Sequence, residues 1–293
     1  MATNIPVLLK NYTIISSYKI FGLNSVYHPI FGQTSSISMK SVFKSLSILA
    51  ITLLSFATFA QNKMQSLDEL INKTDPAWPL ILKWIDSAKN KAEVLEVDSA
   101  NAKQALFNTQ VSTYSTLGAV IYNSGGIMID HGWLRILGSG SAKLNRSVPE
   151  WNKGKTIQEF GDKPEYFLIA DDAAGGFFAI NYGAFGKDLK NVYYLAPDNL
   201  SWEPLGFGYS EFIRFCLDGD LSSFYKGLRW STWDKFIDKL DGSQSYSFYP
   251  HIWTKEGADI EKCKRKLVPT EEVFKSNLEN RKTLKTENVI ESE

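Results

Sequence analysis

YFLIADDAAGGFFAI, residues Tyr166–Ile180, decides the fold. Tyr166, Phe167, Leu168 and Ile169 suit a buried strand, and Phe177 to Ile180 suit a second. Between them Asp171–Gly176 supply turn chemistry, because Gly175 and Gly176 reach positive φ at little cost. The stretch reads as an antiparallel hairpin with an acidic pair, Asp171 and Asp172, at its end. Adjacent strand residues point to opposite faces, so the two carboxylates are poorly placed to act together. In a turn such residues more often bond their own backbone.

The pattern extends in both directions. Upstream, Leu117–Tyr122, Ile127–Ile129 and Trp133–Leu137 read as three short strands, turning at Asn123–Gly126 and Asp130–Gly132. A helical start precedes them. Ser66 and Glu69 fit a capping box for a short helix to about Asn72. Asp75 and Pro76 open a second helix whose Trp78, Leu82 and Ile85 face the core. A short strand at Val94–Val97 and a helix at Ala100–Phe107 follow. Downstream, Ser141–Lys163 is a long polar connection, Val192–Leu195 is a strand, and Asn199–Leu205 adds a turn and a short strand carrying Trp202.

After Gly208 the apolar spacing becomes helical: Phe212, Phe215 and Cys216, then Leu221, Phe224, Tyr225 and Leu228, then Trp230, Trp233, Phe236, Ile237 and Leu240. Residues 254–293 form a charged tail with one helix near Thr270–Leu278 and disorder beyond Leu284. The expected fold is α+β, with N-terminal helices, a central antiparallel sheet of about five or six strands and C-terminal helices packed on one face.

The first 60 residues stand apart. Four of the 32 basic residues and none of the 32 acidic ones lie there, so the remainder carries a formal charge of −4. Such a balance makes nucleic acid a poor partner. Met39–Ala60 has the layout of a secretory signal peptide: Lys40 and Lys44, an uncharged apolar run, then small residues at Thr58 and Ala60. The apolar run is short for a membrane span, so no stable span is expected after cleavage. Residues 1–38 read as an extension ahead of the true start or as a targeting leader. The expected order is then a signal peptide at 39–60, one α+β domain at 61–253 and the tail at 254–293, in the periplasm or secreted. Export also brings an oxidising compartment, where a Cys216–Cys263 bond would tie the tail to the body; spacing alone leaves that pairing open.

Chemistry is sparse. Only His131 and His251 remain after residue 60, neither at metal-ligand spacing, and no phosphate-binding, dinucleotide-binding or serine-nucleophile motif occurs. No cofactor or metal is implied. Asp130-His131-Gly132-Trp133 is the most suggestive string, because a histidine beside an aspartate could serve as a general base with its orienting group. Trp133, Trp151 and Trp202 could line a ligand groove. Asp130, His131, Trp133, Asp171 and Asp172 are the candidate binding residues.

The strings LGAVIYNSGGIMIDHGWLRILGSG (Leu117–Gly140), YFLIADDAAGGFFAIN (Tyr166–Asn181), VYYLAPDNLSWEPLGFGYSEFIRFCLDGD (Val192–Asp220) and SFYKGLRW (Ser223–Trp230) resemble the DUF2625 family of bacterial proteins. The resemblance spans roughly Leu67 to Trp253, and DHGWLRILGSG is its most specific part. The layout is more loosely similar to SMI1/KNR4-like (SUKH) domains. Their pieces would fall at Ala170–Phe178, Val192–Trp202 and Ser210–Phe215. This looser similarity implies a binding module, in many cases an immunity protein that neutralises a toxin, and carries over no catalytic residue. Three readings follow: an exported binding protein with a toxin-like protein partner, a small hydrolase using Asp130 and His131, or a carbohydrate-binding module using exposed tryptophans.

Overall fold

The computed structural model describes residues 64–237 and 240–290, with side chains through 284. The signal-peptide and leader expectations fall outside the described residues. Helices α1 (Leu67–Leu70) and α2 (Trp78–Asp86) open the fold. Strand β1 (Ala92–Val94) and helices α3 (Ser99–Thr109) and α4 (Thr116–Asn123) follow. Strands β2 (Gly126–Ile129) and β3 (Leu134–Leu137) flank a short 3-10 turn at Asp130–Gly132, and α5 (Val148–Asn152) sits in the long connection. Then come β4 (Tyr166–Asp172), β5 (Phe177–Asn181), β6 (Asn191–Leu195) and β7 (Trp202–Gly208). The chain ends with α6 (Tyr209–Asp218), α7 (Leu221–Phe224), α8 (Asp234–Ile237), β8 (Gln244–Tyr249), β9 (Lys264–Pro269) and α9 (Thr270–Ile290).

The fold class is α+β. Strands β1 to β7 form one antiparallel sheet in chain order, one or two strands wider than expected, and β8 and β9 pair separately. The β4–β5 hairpin lies at its centre, with Gly175 at φ +88 in the turn. Asp171 and Asp172 belong to β4 and not to the turn. Alternation splits the neighbouring phenylalanines between the two faces. Phe178 packs on Tyr194, Phe212 and Phe224, so α6 and α7 cover that face. Phe177 packs on Trp151 and Phe274, so α5 and α9 cover the other. The C-terminal helices are thus divided between both faces, which is why every residue from 167 to 181 is buried.

Several local expectations are corrected. Residues 117–122 are helix α4: Ser115 accepts a hydrogen bond from Gly118 N at 3.1 Å and caps it, and a short apolar run alone does not distinguish a strand from a buried helix. Helix α2 starts at Trp78, because Asn72 Oδ1 takes the N–H groups of Thr74 and Asp75 into a turn. Its core residue is Ile81, and Leu82 is exposed. The aromatic stretch 221–240 holds only the single turns α7 and α8, although Leu221, Tyr225, Leu228, Trp230 and Ile237 are buried. The charged tail belongs to the body, with Ile260, Val268, Val273 and Phe274 in the core and α9 running past residue 284. Cys216 and Cys263 are both buried and both free. Cys263, although set in the charged run EKCKRK, tucks against the carbonyls of Gly257 and Asp259.

Candidate functional site

The Asp130–Gly132 turn shows what the DHGW string does. Asp130, His131 and Gly132 all take positive φ, at 51°, 59° and 89°, a conformation costly for the first two. The turn drives Trp133 into the core at 0% exposure and leaves His131 on the surface. The Asp130 carboxylate meets Arg229 Nη2 at 2.6 Å. The Arg229 guanidinium lies 4.9 Å from the Trp133 ring, 4.8 Å from Tyr225 and 4.0 Å from Trp233. Cation–π attraction is strengthened by such desolvation. The motif docks the 221–237 segment onto the sheet, and the Asp130 carboxylate is engaged by Arg229.

Asp171 and Asp172 are equally committed, on opposite faces. Asp171 lies across from Arg135 in the β3–β4 register, 2.5 Å from its Nη2, and 2.6 Å from Arg146 Nη1. Arg135, itself 0% exposed, donates to the carbonyls of Gln244 and Asp172 and to Ser245 Oγ. Arg146 Nη2 donates to the Gly242 carbonyl at 2.7 Å, and Ser245 Oγ meets Thr270 Oγ1 at 3.0 Å. This junction clamps the start of β8 and of α9 to the main sheet. Burial pulls the Arg135 guanidinium below its ordinary range, and Asp171 opposes that.

On the other face Tyr194 donates to Asp172 Oδ2 at 2.7 Å and Gly176 N donates to Oδ1 at 2.9 Å. A Cβ at Gly176 would collide with both partners. Burial pushes the Asp172 carboxyl up to about 6, against the pull of those two hydrogen bonds. The same enclosure drives the Tyr194 hydroxyl well above its usual range. Residues 171–176 therefore offer no acidic surface to a partner. Of the five candidate binding residues, the structure exposes His131 alone.

The tryptophans are packed as well. Trp133, Trp151 and Trp230 are buried, and Trp78, Trp84, Trp202, Trp233 and Trp253 are half-buried. Trp202 stacks on Phe185 with ring centroids 4.5 Å apart. Two exposed coplanar indoles, the requirement for a glycan platform, do not occur among the described residues.

A different place is open. A cavity of about 630 Å³ lies where four segments meet. The β1–α3 loop brings Glu96 and Asp98, α3 brings Asn101, Gln104 and Asn108, the β3–α5 loop brings residues 139–142 and Asn145, and α5 brings Glu150. Its volume falls within the usual range for small-molecule sites. The walls are fixed from beneath. Asn152 on α5 donates to the Leu168 carbonyl and accepts from its N–H, both at 2.8 Å, at the bulge in β4. The Gly138-Ser139-Gly140 end of the DHGWLRILGSG string is pinned by Ser139 N to Ser124 O and Gly140 N to Gly125 O, each at 3.0 Å.

The serines here are occupied: Ser139 Oγ donates to Ser124 O, Ser141 Oγ accepts from Leu144 N, and Ser147 Oγ caps α5. No histidine, cysteine, lysine or arginine lines the cavity. None of Asp130, His131, Trp133, Asp171 and Asp172 reaches it. Residue spacing could not reveal this site, because its carboxylates come from two segments, the β1–α3 loop and α5, that only the fold brings together. Arg135 was findable: an arginine inside the apolar strand LRIL calls for a buried acidic neighbour.

Comparison with known proteins agrees on one lineage. The family model described as "Protein of unknown function DUF2625" matches residues 67–273. An uncharacterized protein of Haemophilus influenzae is 42% identical over 214 residues, covering 73% of this chain and 94% of that protein. An uncharacterized Escherichia coli protein, YbfG, is 40% identical over 220 residues, 75% of this chain and 99% of its own length. With a sheet, a junction and a cavity all built inside the matched region, the chain belongs to the DUF2625 family.

Proposed function

We propose that this chain is an exported, non-enzymatic binding protein that holds a small polar ligand in the cavity between the β1–α3 loop, the 138–147 loop and α5. The observation that carries the reading is the composition of that cavity: carboxylates and amides with space for a ligand, and hydroxyls already bonded to backbone. A nucleophile needs a base within hydrogen-bond reach, and no serine hydroxyl of the lining is bonded to one of its carboxylates among the described residues. The two groups that could have catalysed, Asp130 and the Asp171–Asp172 pair, are spent on Arg229, Arg135, Arg146 and Tyr194. Removal of Met39–Ala60 would place the binding outside the cytoplasm. The toxin-neutralising role implied by the looser resemblance is a narrower form of this proposal, with a protein segment as ligand.

The test is equilibrium dialysis of the full chain against small-molecule extracts of cells and medium, with bound compounds identified by mass spectrometry. Ala142→Trp is the control, since this exposed alanine lines the cavity and a large side chain there fills it. The expected result is one enriched polar compound, retained unmodified and lost in the folded variant. Enrichment that survives the substitution, or conversion of the compound to a product, contradicts the proposal.

A further inference from the structure

Resting on that binding reading, we infer that the cavity takes a hydroxylated primary amine, a compact organic cation such as an amino sugar. Glu96, Asp98 and Glu150 line it, and none of the three has an ion-pair partner among the described residues. The two basic residues of the adjoining loop are engaged elsewhere, Lys143 with Glu93 and Arg146 with Asp171. All three are exposed, and a cation entering between them would donate charge-assisted hydrogen bonds to their carboxylates.

The cation is organic. Among the described residues no three acidic, histidine or cysteine side chains converge on a point that could hold a metal ion. The carboxylates are instead spread around a space of about 630 Å³. A primary ammonium offers three donors and no acceptor, which matches carboxylates and amide carbonyls. Asp98 accepts from Asn101 N through Oδ1 and so keeps its second oxygen for a ligand.

Asn108 adds the second half of the recognition. This residue is only 6% exposed yet lines the cavity. Its carbonyl oxygen accepts from Gln104 Nε2 at 2.8 Å, while its amide nitrogen has no partner among the described residues. That nitrogen belongs to a residue of the cavity wall, and a ligand hydroxyl or ring oxygen would accept from it. A ligand with an ammonium at one end and oxygen acceptors at the other meets both needs, which a plain polyamine or a neutral sugar does not.

The experiment is isothermal titration calorimetry of the full chain in amine-free buffer with glucosamine, glucose and glucuronate, which share ring size and differ in charge. Glucosamine is expected to bind about tenfold more tightly than glucose, with glucuronate weakest. Glu96→Gln/Glu150→Gln should erase the preference for the amine, and Asn108→Leu should weaken both glucosamine and glucose. Equal affinity for glucosamine and glucose, or a preference for glucuronate, overturns the cationic assignment while the proposed function stands. Binding of a lysine-rich peptide without glucosamine overturns the small-molecule assignment. No binding by any probe to the folded chain overturns the inference and leaves the proposed function to the extract screen.

Discussion

Two charged regions of this molecule sit on either side of α5 and use their charges in opposite ways. At the junction of β3, β4 and β8, Arg135 and Asp171 are fully buried and Arg146 nearly so, each guanidinium meeting the same carboxylate. In the cavity beyond α5, Glu96, Asp98 and Glu150 share one space with no counter-ion among the described residues. Buried charges must meet partners and so tie a structure together, whereas exposed ones stay hydrated and open to a ligand. The contrast separates what the fold needs from what a ligand would need.

The comparison breaks most visibly at Asp171. Asp171→Ala leaves two guanidinium groups near or in the interior without their counter-ion and should cost about 3–5 kcal/mol of unfolding free energy. Urea unfolding followed by tryptophan fluorescence measures it, and a loss within about 0.5 kcal/mol, the range of ordinary surface substitutions, would remove the junction from the account.

Next in size is Asp172. Its folded-state value lies above that of an unfolded aspartate, so the stability it contributes is fully present below pH about 4 and is lost as pH rises through about 6. In Asp172→Asn that loss is absent, and the variant should gain on the wild type across this window by at most about 3 kcal/mol. Melting temperatures measured at pH 4 to 8 would show the two curves diverging, and parallel curves would mean that Asp172 is ionised without penalty.

Gly132→Ala is expected to be milder, at about 1–3 kcal/mol, because alanine must hold φ +89 beside two residues already strained. Thermal unfolding reads it, together with loss of the Arg229 contact seen as increased quenching of Trp133 and Trp233. The smallest effect should come from the cavity: Glu150→Gln is exposed and unpaired, and it should leave stability within about 0.5 kcal/mol.

How far the sequence reveals these regions follows from where their information sits. The hairpin was legible because β4 and β5 are contiguous apolar runs joined by a glycine pair. Helix α4 was not, since TLGAVIYN is equally apolar in either conformation and only the Ser115 cap distinguishes them. Strand β9 was hidden because Lys264, Arg265 and Lys266 are exposed on a two-stranded sheet, so their charges read as a solvated tail. The acidic pair was recognised, but its partners were missed: Arg135 is 36 residues and Arg146 25 residues upstream of Asp171, and only the sheet register brings them together. The cavity left no local trace apart from the GSG end of one motif.

The most direct measurement of the difference between the two regions is the unfolding free energy of Asp171→Ala beside that of Glu96→Gln/Glu150→Gln, under identical conditions. The account predicts a large loss for the first. It predicts a change within about 0.5 kcal/mol for the second, whose carboxylates are exposed. A loss in the cavity variant as large as that at the junction would show that its carboxylates are structural, and would contradict the assignment of that cavity to binding.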